Sequence, residues 1–407
     1  VNIVKNPFDA LRPDYISPLR PSGSYQWVKC SGSVELQKQY PPDPNDPNIA
    51  AEEGTACHWL AEQLLLCINQ GLDFPDKSEA IGAVCPDNNV MIDEDMWDAA
   101  QMYIDAIINK AGDTVQLEHL AVEQSVMLDH IYPKMWGTPD CWFYDGYTNT
   151  LHVFDLKYGM GTVEAYYNSQ LMIYTSGIIA TLLHPNVAND ENLKVELTII
   201  QPRKFHEMGP VRTFYIKAVE LRGKINIIEG AAHYAMGDST QCVPGQHCKH
   251  CSAKYPCNAL QQTIYNAVDV VTSASPVEMD DNSIAAEWTL LNYISDIVKY
   301  RKIAIEAKAT AVINNGGILP GWIMESVIAR LKWTNTDKAK ALGALLECDF
   351  EKHDLITPTQ AITMLEKKKI NESIIDNYAA RGKSGLKLKA DDGTRLAMIF
   401  NNFNNNG

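Results

Sequence analysis

The stretch from Gly137 to Lys157 constrains the fold of this chain more than any other. It reads as two β-strands joined by a tight turn. Trp142, Phe143 and Tyr144 run up to Asp145-Gly146-Tyr147-Thr148-Asn149, and Leu151, Val153 and Phe154 run away from it. Asp140, in Gly137-Thr138-Pro139-Asp140, opens the first strand, and Asp155 and Lys157 sit near the end of the second. Residues two apart on a strand leave from the same face. Such a hairpin can gather two carboxylates and an ammonium group. Carboxylate oxygens are the hard ligands that Mg²⁺ prefers, and a nearby lysine can polarise a water or steady developing phosphate charge. The spacing alone is not specific, because Glu306/Lys308 and Glu366/Lys368 repeat it in helix-like sequence, where it reads as solvated charge.

Composition narrows the setting. With 407 residues, 46% apolar and 21% charged, the chain has room for one large domain with an appendage, or for two domains, around a sizeable core. A formal net charge of -15 argues against coating duplex DNA by bulk electrostatics. It leaves room for one local basic groove, or for an acidic pocket whose charge a metal masks. Val1 to Arg20 has no apolar core with a cleavage site, and the best apolar run, Leu60 to Ile68, is short and contains Glu62 and Gln63. A cytoplasmic protein without membrane association is expected. Ten cysteines in that compartment point to metal binding before disulfides.

Along the chain, residues 1-24 read as an extended arm, Trp27 to Tyr40 as a short helical stretch, and Pro41 to Asn48 as a loop. Helices are expected from about Ala51 to Asn69, Glu94 to Lys110, Glu164 to Leu183, Val219 to Met236 and Ile284 to Asn314. Val115 to Leu128, with Glu118 and Glu123, has β character, and Leu193 to Gln201 and Val211 to Ile216 read as further strands. This alternation predicts an α/β fold with a mixed sheet flanked by helices. Beyond Ile318 short helices are expected. The most basic part, Lys367 to Arg395, has eight Lys/Arg against four acids and reads as a solvated face or a DNA contact; the Asn-rich tail should be loose.

The sharpest local signal is a cysteine group. Cys248-x₂-Cys251 is followed by Cys257, and Cys242 stands six residues before Cys248. Thiolates this close chelate soft metals or hold an iron-sulfur cluster. The fourth position can be filled by Cys242, by His247 or His250 in a zinc site, or by distant Cys30. The remaining cysteines, Cys57, Cys67, Cys85, Cys141 and Cys348, lack such spacing. Taken singly, His58, Glu123, Gln170 and Tyr174 are ordinary helix and strand residues, although Gln170 and Tyr174, four apart, share a helix face.

Their order along the chain resembles a known family. His58 in Gly-Thr-x-x-His, Asp140 in Gly-Thr-Pro-Asp, Asp155-x-Lys157 and Gln170-x-x-x-Tyr174 are similar to the successive motifs of the PD-(D/E)xK nucleases of the RecB/AddB type. Cys30 with Cys248-x₂-Cys251-x₅-Cys257 is similar to the iron-sulfur branch of that superfamily. The resemblance is closest to a phage- and prophage-encoded family long catalogued as a domain of unknown function. It rests there on Trp27-x-x-Cys30-x-x-Ser33, Glu53-Gly-Thr-x-x-His58 and Pro320-Gly321-Trp322, and covers about residues 20-330. Asp155 stands where Glu is commoner, and both are hard ligands.

The resemblance implies a restriction-endonuclease-like core over residues 51-265, with residues 1-50 supplying one cluster cysteine, a helical segment over 266-316 and a mostly helical appendage over 317-407. It implies Mg²⁺ or Mn²⁺ held by His58, Glu123, Asp140, Asp155 and the Leu156 carbonyl. Lys157 would act at the phosphate, and Gln170 and Tyr174 would position the DNA strand. A [4Fe-4S] cluster on Cys30, Cys248, Cys251 and Cys257, with Cys30 favoured over Cys242, would clip a loop of more than two hundred residues; zinc in the same cysteines is the alternative. The expected activity is exonucleolytic cleavage at DNA ends in phage recombination or replication, beside a phage single-strand binding or annealing protein. A catalytically silent DNA-end-binding protein and a zinc-stabilised interaction protein are the competing expectations.

Overall fold

A computed structural model of the chain describes residues 3–42, 48–113, 115–273, 281–327, 331–348, 350, 356–368, 370–381 and 385–390. It has two compact units, Val1–Tyr300 and Arg301–Gly407.

In the first unit, two short helices, α1 (Ser24–Trp27) and α2 (Ser33–Gln39), follow the N-terminal arm. The expected single helical stretch is broken between them, which leaves Cys30 in a turn. Helix α3 (Ile49–Asn69) starts at Asn48, whose side chain accepts from the Ala51 N–H, and stops before Gly71 at φ +63°. A single turn, α4 (Lys77–Ala80), leads to α5 (Glu94–Ala111), capped by Asp93 with Glu94 and Asp95 in its first turn. Then come β1 (Ala121–Val122), β2 (Val126–Met127), β3 (Trp136–Gly137), β4 (Cys141–Asp145), β5 (Thr150–Leu156), α6 (Ser169–Thr181), the turn α7 (Pro185–Ala188), β6 (Lys194–Ile200), β7 (Val211–Lys217) and α8 (Ala218–Ala235). Helix α9 (Asn258–Ser273) follows the cysteine-rich segment, and α10 (Asp281–Asn314) starts in this unit and continues past its boundary at Tyr300.

Five strands form one mixed sheet in the order β1-β4-β5-β6-β7. The expected hairpin is β4–β5, antiparallel with Cys141 opposite Phe154 and Asp145 opposite Thr150. β5 and β6 run parallel, joined over the sheet by α6, as a parallel pair requires. All seven residues of β5 are buried, because helices cover both faces of this central strand. Phe143, Phe154, Leu156 and Ile200 pack with α3 and α5 on one face. Trp142, Val153, Leu197 and Ile199 pack with α6 and α8 on the other. The period of two decides which helix layer each strand residue meets.

Two local expectations are corrected. The β-like run from Val115 to Leu128 is a 3-10 turn (Leu117–His119) and two short strands, interrupted where Glu123 turns left-handed at φ +49°. Helix α6 begins at Ser169 rather than Glu164, since Asn168 caps it by accepting from the Leu171 N–H at 3.1 Å.

The second unit adds short strand pairs to the helices expected there. It pairs β8 (Trp322–Val327) with β11 (Gly385–Ala390), and β9 (Leu331–Trp333) with β10 (Ala379–Arg381), beside α11 (Thr336–Leu345) and α12 (Pro358–Lys367). Its small core includes Leu342, Phe350, Ala361, Leu365 and Ile375. Of the basic stretch 367–395, residues 369, 382–384 and 391–395 lie outside the described residues, as does the tail 401–407.

Candidate active site and cysteine cavity

The ends of β4, β5 and α6 and the middle of α3 meet beside the carboxyl edge of the parallel strand pair. Asp140 enters β4 with its Oδ2 accepting from the Leu156 N–H at 2.7 Å, so the hairpin itself fixes this carboxylate. His58 Nδ1, from α3, lies 3.5 Å from the same oxygen. Glu123 is brought in by its left-handed turn, and its N–H donates to the Asp140 carbonyl at 3.0 Å. Such a conformation costs a non-glycine residue about 1–3 kcal/mol and is held only where surroundings impose it. The ligand atoms of His58, Glu123 and Asp140 all lie within 4.8 Å of one another.

On the α6 side Lys157 Nζ donates to Asp155 Oδ1 at 3.0 Å and to Gln170 Oε1 at 3.1 Å, while Gln170 Nε2 donates to Asp155 Oδ1 at 2.9 Å. This triangle is completed by Tyr174, whose hydroxyl is 3.4 Å from Gln170 Nε2. Asp155 is 1% exposed, yet among the described residues its Oδ2 makes no well-angled hydrogen bond, although Lys157 Nζ stands 2.8 Å away. Leu156 offers its N–H to Asp140 and is buried between the two groups.

Charge in this hollow is unbalanced. Burial and the neighbouring Asp140 push the Asp155 carboxyl up to about 6 against the pull of Lys157 and His58. Burial and Asp140 also raise Glu123 well above the carboxylate range. Burial opposes the ammonium form of Lys157, but Asp155 and Asp140 outweigh it and hold the proton on. Tyr174 is raised by burial and by the same two acids, and keeps its hydroxyl proton. A set of one imidazole nitrogen and several carboxylate oxygens, with one buried oxygen lacking a donor, suits a divalent cation.

Gly137 permits the approach. A Cβ there would stand 2.6 Å from Pro21 Cγ and 2.7 Å from Tyr174 Cε1. Beside Thr138 and Tyr174 a cleft of about 490 Å³ opens between the arm, at Tyr15 and Arg20, and Trp136. Glu53, near the start of α3, pairs with Arg203 at 2.5 Å, and Arg203 lies over the Tyr158 ring at 4.5 Å. These contacts tie the His58 helix to the loop after β6.

The second gathering is a small cavity lined by Cys30, Cys242, Cys248, Cys251 and Cys257. All are free thiols. Backbone N–H groups point at the sulfurs, Val243 at Cys30 Sγ (3.3 Å) and Gly245 at Cys248 Sγ (3.4 Å). His247 also lines it, but its Nε2 is 2.7 Å from the Val243 carbonyl.

The sequence pattern of a family described as "Protein of unknown function (DUF2800)" matches residues 17–395. This chain belongs to the DUF2800 family. No curated protein matches it.

In this DUF2800 chain the structure adds groups that sequence reading missed. Glu62, one turn after His58, is raised by burial and receives Asn6 Nδ2 at 2.9 Å; Asn6 also donates to the Val122 carbonyl at 3.1 Å. The spacing of four from His58 could have flagged Glu62. The Tyr103 hydroxyl, buried and without a hydrogen-bond partner among the described residues, is raised by burial and feels Cys141, Asp140 and Glu123. No local signal marks it. Glu118, in contrast, is on the surface, with its side chain 68% exposed.

Proposed function

We propose that this DUF2800 protein is a metal-dependent deoxyribonuclease of the PD-(D/E)xK, RecB/AddB-like kind, acting at DNA ends. One observation carries the reading: His58, Glu123 and Asp140 come within 4.8 Å of one another beside a hydrogen-bonded Asp155–Lys157–Gln170 triangle. His58, Glu123, Asp140 and Asp155 would hold one or two Mg²⁺ or Mn²⁺ ions, with the Leu156 carbonyl as a further candidate. When bound, such a metal lowers the pKa of a water and withdraws charge from a phosphate.

The chain's own groups do the positioning. Lys157, kept charged by Asp155 and Asp140, faces the place where phosphate charge grows. Gln170 holds Lys157 and Asp155 in one geometry, and the protonated Tyr174 hydroxyl is a donor for a phosphate oxygen. The cleft beside Tyr174 gives the DNA strand its approach. A role in phage recombination or replication, with a phage single-strand binding or annealing protein as partner, is the biological setting that goes with this reading.

The cysteine cavity is read as a [4Fe-4S] site on Cys30, Cys248, Cys251 and Cys257 that clips the arm to the core. Zinc in the same thiolates is the alternative, and metal analysis of the purified protein separates it from an iron cluster. The N–H groups aimed at sulfur suit a cluster as well.

The test is digestion of end-labelled linear and circular DNA with Mg²⁺ or Mn²⁺. Linear DNA should be degraded, EDTA should stop it, and Asp155→Ala and Lys157→Ala should abolish it. An Asp155→Ala protein that digests at the normal rate would reject the proposal.

A further inference from the structure

A cubane cluster takes four cysteine ligands, and five line this cavity. Four of the five, Cys242 included, come from one short segment, residues 242–257; Cys30 alone arrives from the arm. Cys242 is the thiol between the two sources. Its thiol is in hydrogen-bonding contact with the Cys257 and Cys30 thiols. Its sulfur would be 2.7 Å from a Cβ at Gly32, so only glycine lets the arm lie against it.

The arm does not depend on a metal to stay there. Gly32 N–H donates to the Gln241 carbonyl at 2.9 Å, Gln241 N–H donates to Ser31 Oγ at 2.9 Å, and Ser31 Oγ donates back to the Gln241 carbonyl at 3.2 Å. Cys30 and Cys242 are therefore held side by side by backbone and serine contacts, whichever of them ligates.

We propose that Cys242 is a fifth thiol of the cluster site, able to take the ligand position of Cys30, so that the cluster can let go of the arm without being lost. The inference rests on the cluster reading above. The exchange is proton-neutral and needs no oxidant: Cys242 gives up its thiol proton on binding, and Cys30 takes one on release.

The experiment measures iron content, the visible absorption band and the reduced-state EPR signal of protein purified anaerobically and reconstituted with iron and sulfide. Wild type, Cys30→Ser, Cys242→Ser and the double variant are compared. Each single variant should hold iron near the wild-type level. Cys242→Ser should keep the wild-type EPR signal and Cys30→Ser should shift it. The double variant should lose at least about tenfold in iron. A second readout needs no variant: iodoacetamide applied to iron-loaded wild type should label Cys242 and spare Cys30, Cys248, Cys251 and Cys257.

Loss of iron from Cys30→Ser as complete as from the double variant overturns the exchange, and so does loss from Cys242→Ser alone. Labelling of Cys30 with protection of Cys242 overturns it without any question of misfolding. Wild type that takes up zinc but no iron instead overturns the cluster reading itself, and this inference with it.

Discussion

Strands β5 and β6 carry two clusters of buried charge, and the clusters are built on opposite terms. At His152 and Glu196, paired across the two strands, one acid is given two bases. Lys110 Nζ lies 2.6 Å and His152 Nδ1 3.3 Å from Glu196 Oε2. Burial alone would raise Glu196, but His152 and Lys110 override it and hold the carboxyl down to about 2. At the other end Asp140, Asp155 and Glu123 share one lysine and one histidine, and Asp155 and Glu123 are driven up instead. The first cluster is electrically complete. The second is short of positive charge at the end where a cleft opens. Burial is common to both, and so is a set of one lysine and one histidine, so the number of acids sharing that set separates a fastening from a site prepared for something else.

The sharpest way to break the contrast is to neutralise one acid at each end. Asp155→Asn should reduce DNA cleavage about 10³-fold or more, the size of effect seen when a group acting on developing charge is removed. Its melting temperature should hold or rise, because the substitution relieves repulsion with Asp140. Glu196→Ala should do the reverse. It strands Lys110 and His152, and after discounting for the partly exposed lysine it should cost about 2 kcal/mol of stability, with activity per folded molecule kept. Paired nuclease assays and thermal melts decide this. A strongly destabilised Asp155→Asn would erase the distinction.

Added metal tests the deficit directly. At one hundred times its dissociation constant Mn²⁺ should stabilise the wild type by about 2.7 kcal/mol. His58→Ala and Asp140→Asn should show little of this gain, and Glu196→Ala should show all of it. Equal stabilisation of all four proteins in differential scanning calorimetry would place the ion elsewhere.

How much of this was legible beforehand follows from how each residue reaches its place. Asp155 and Lys157 share a strand face, and Gln170 and Tyr174 share a helix face, so short spacing exposed both pairs. The hairpin and the helices α3, α5 and α8 were equally visible, being long and periodic. Glu123 was named as a candidate, but its approach depends on a left-handed turn that no propensity suggests. Tyr103 and Asn6 come from elements remote in sequence and carry no motif. The β-ribbons of the second unit were missed for a related reason. β8 pairs with β11 almost sixty residues later, so no tight turn announces the hairpin, and Lys387 and Lys389 disguise the strand as a charged surface. Local geometry is readable; convergence over distance is not.

The smallest expected effect is the pH dependence of stability in EDTA, and its sign separates the two ends. Asp155 is raised from 3.8 to about 6 on folding, and Glu123 is raised too. Between about pH 6 and 4 the folded state therefore binds more protons than the unfolded one, and stability rises as pH falls through that window. Glu196 works the other way. Its carboxyl drops from 4.5 to about 2 on folding, so its contribution is complete above about 4.5 and is lost as pH falls towards 2. Metal-free protein should thus melt higher at pH 5 than at pH 7, by an amount worth about 1 kcal/mol, and lower again below pH 4. Asp155→Asn should flatten the rise, and Glu196→Gln should flatten the fall. With saturating Mn²⁺ the slope between pH 7 and 5 should invert, because protons then compete with a bound cation for the same oxygens. A metal-free wild type that loses stability steadily from pH 7 downward, in step with Asp155→Asn, would mean that these acids are as well matched as Glu196.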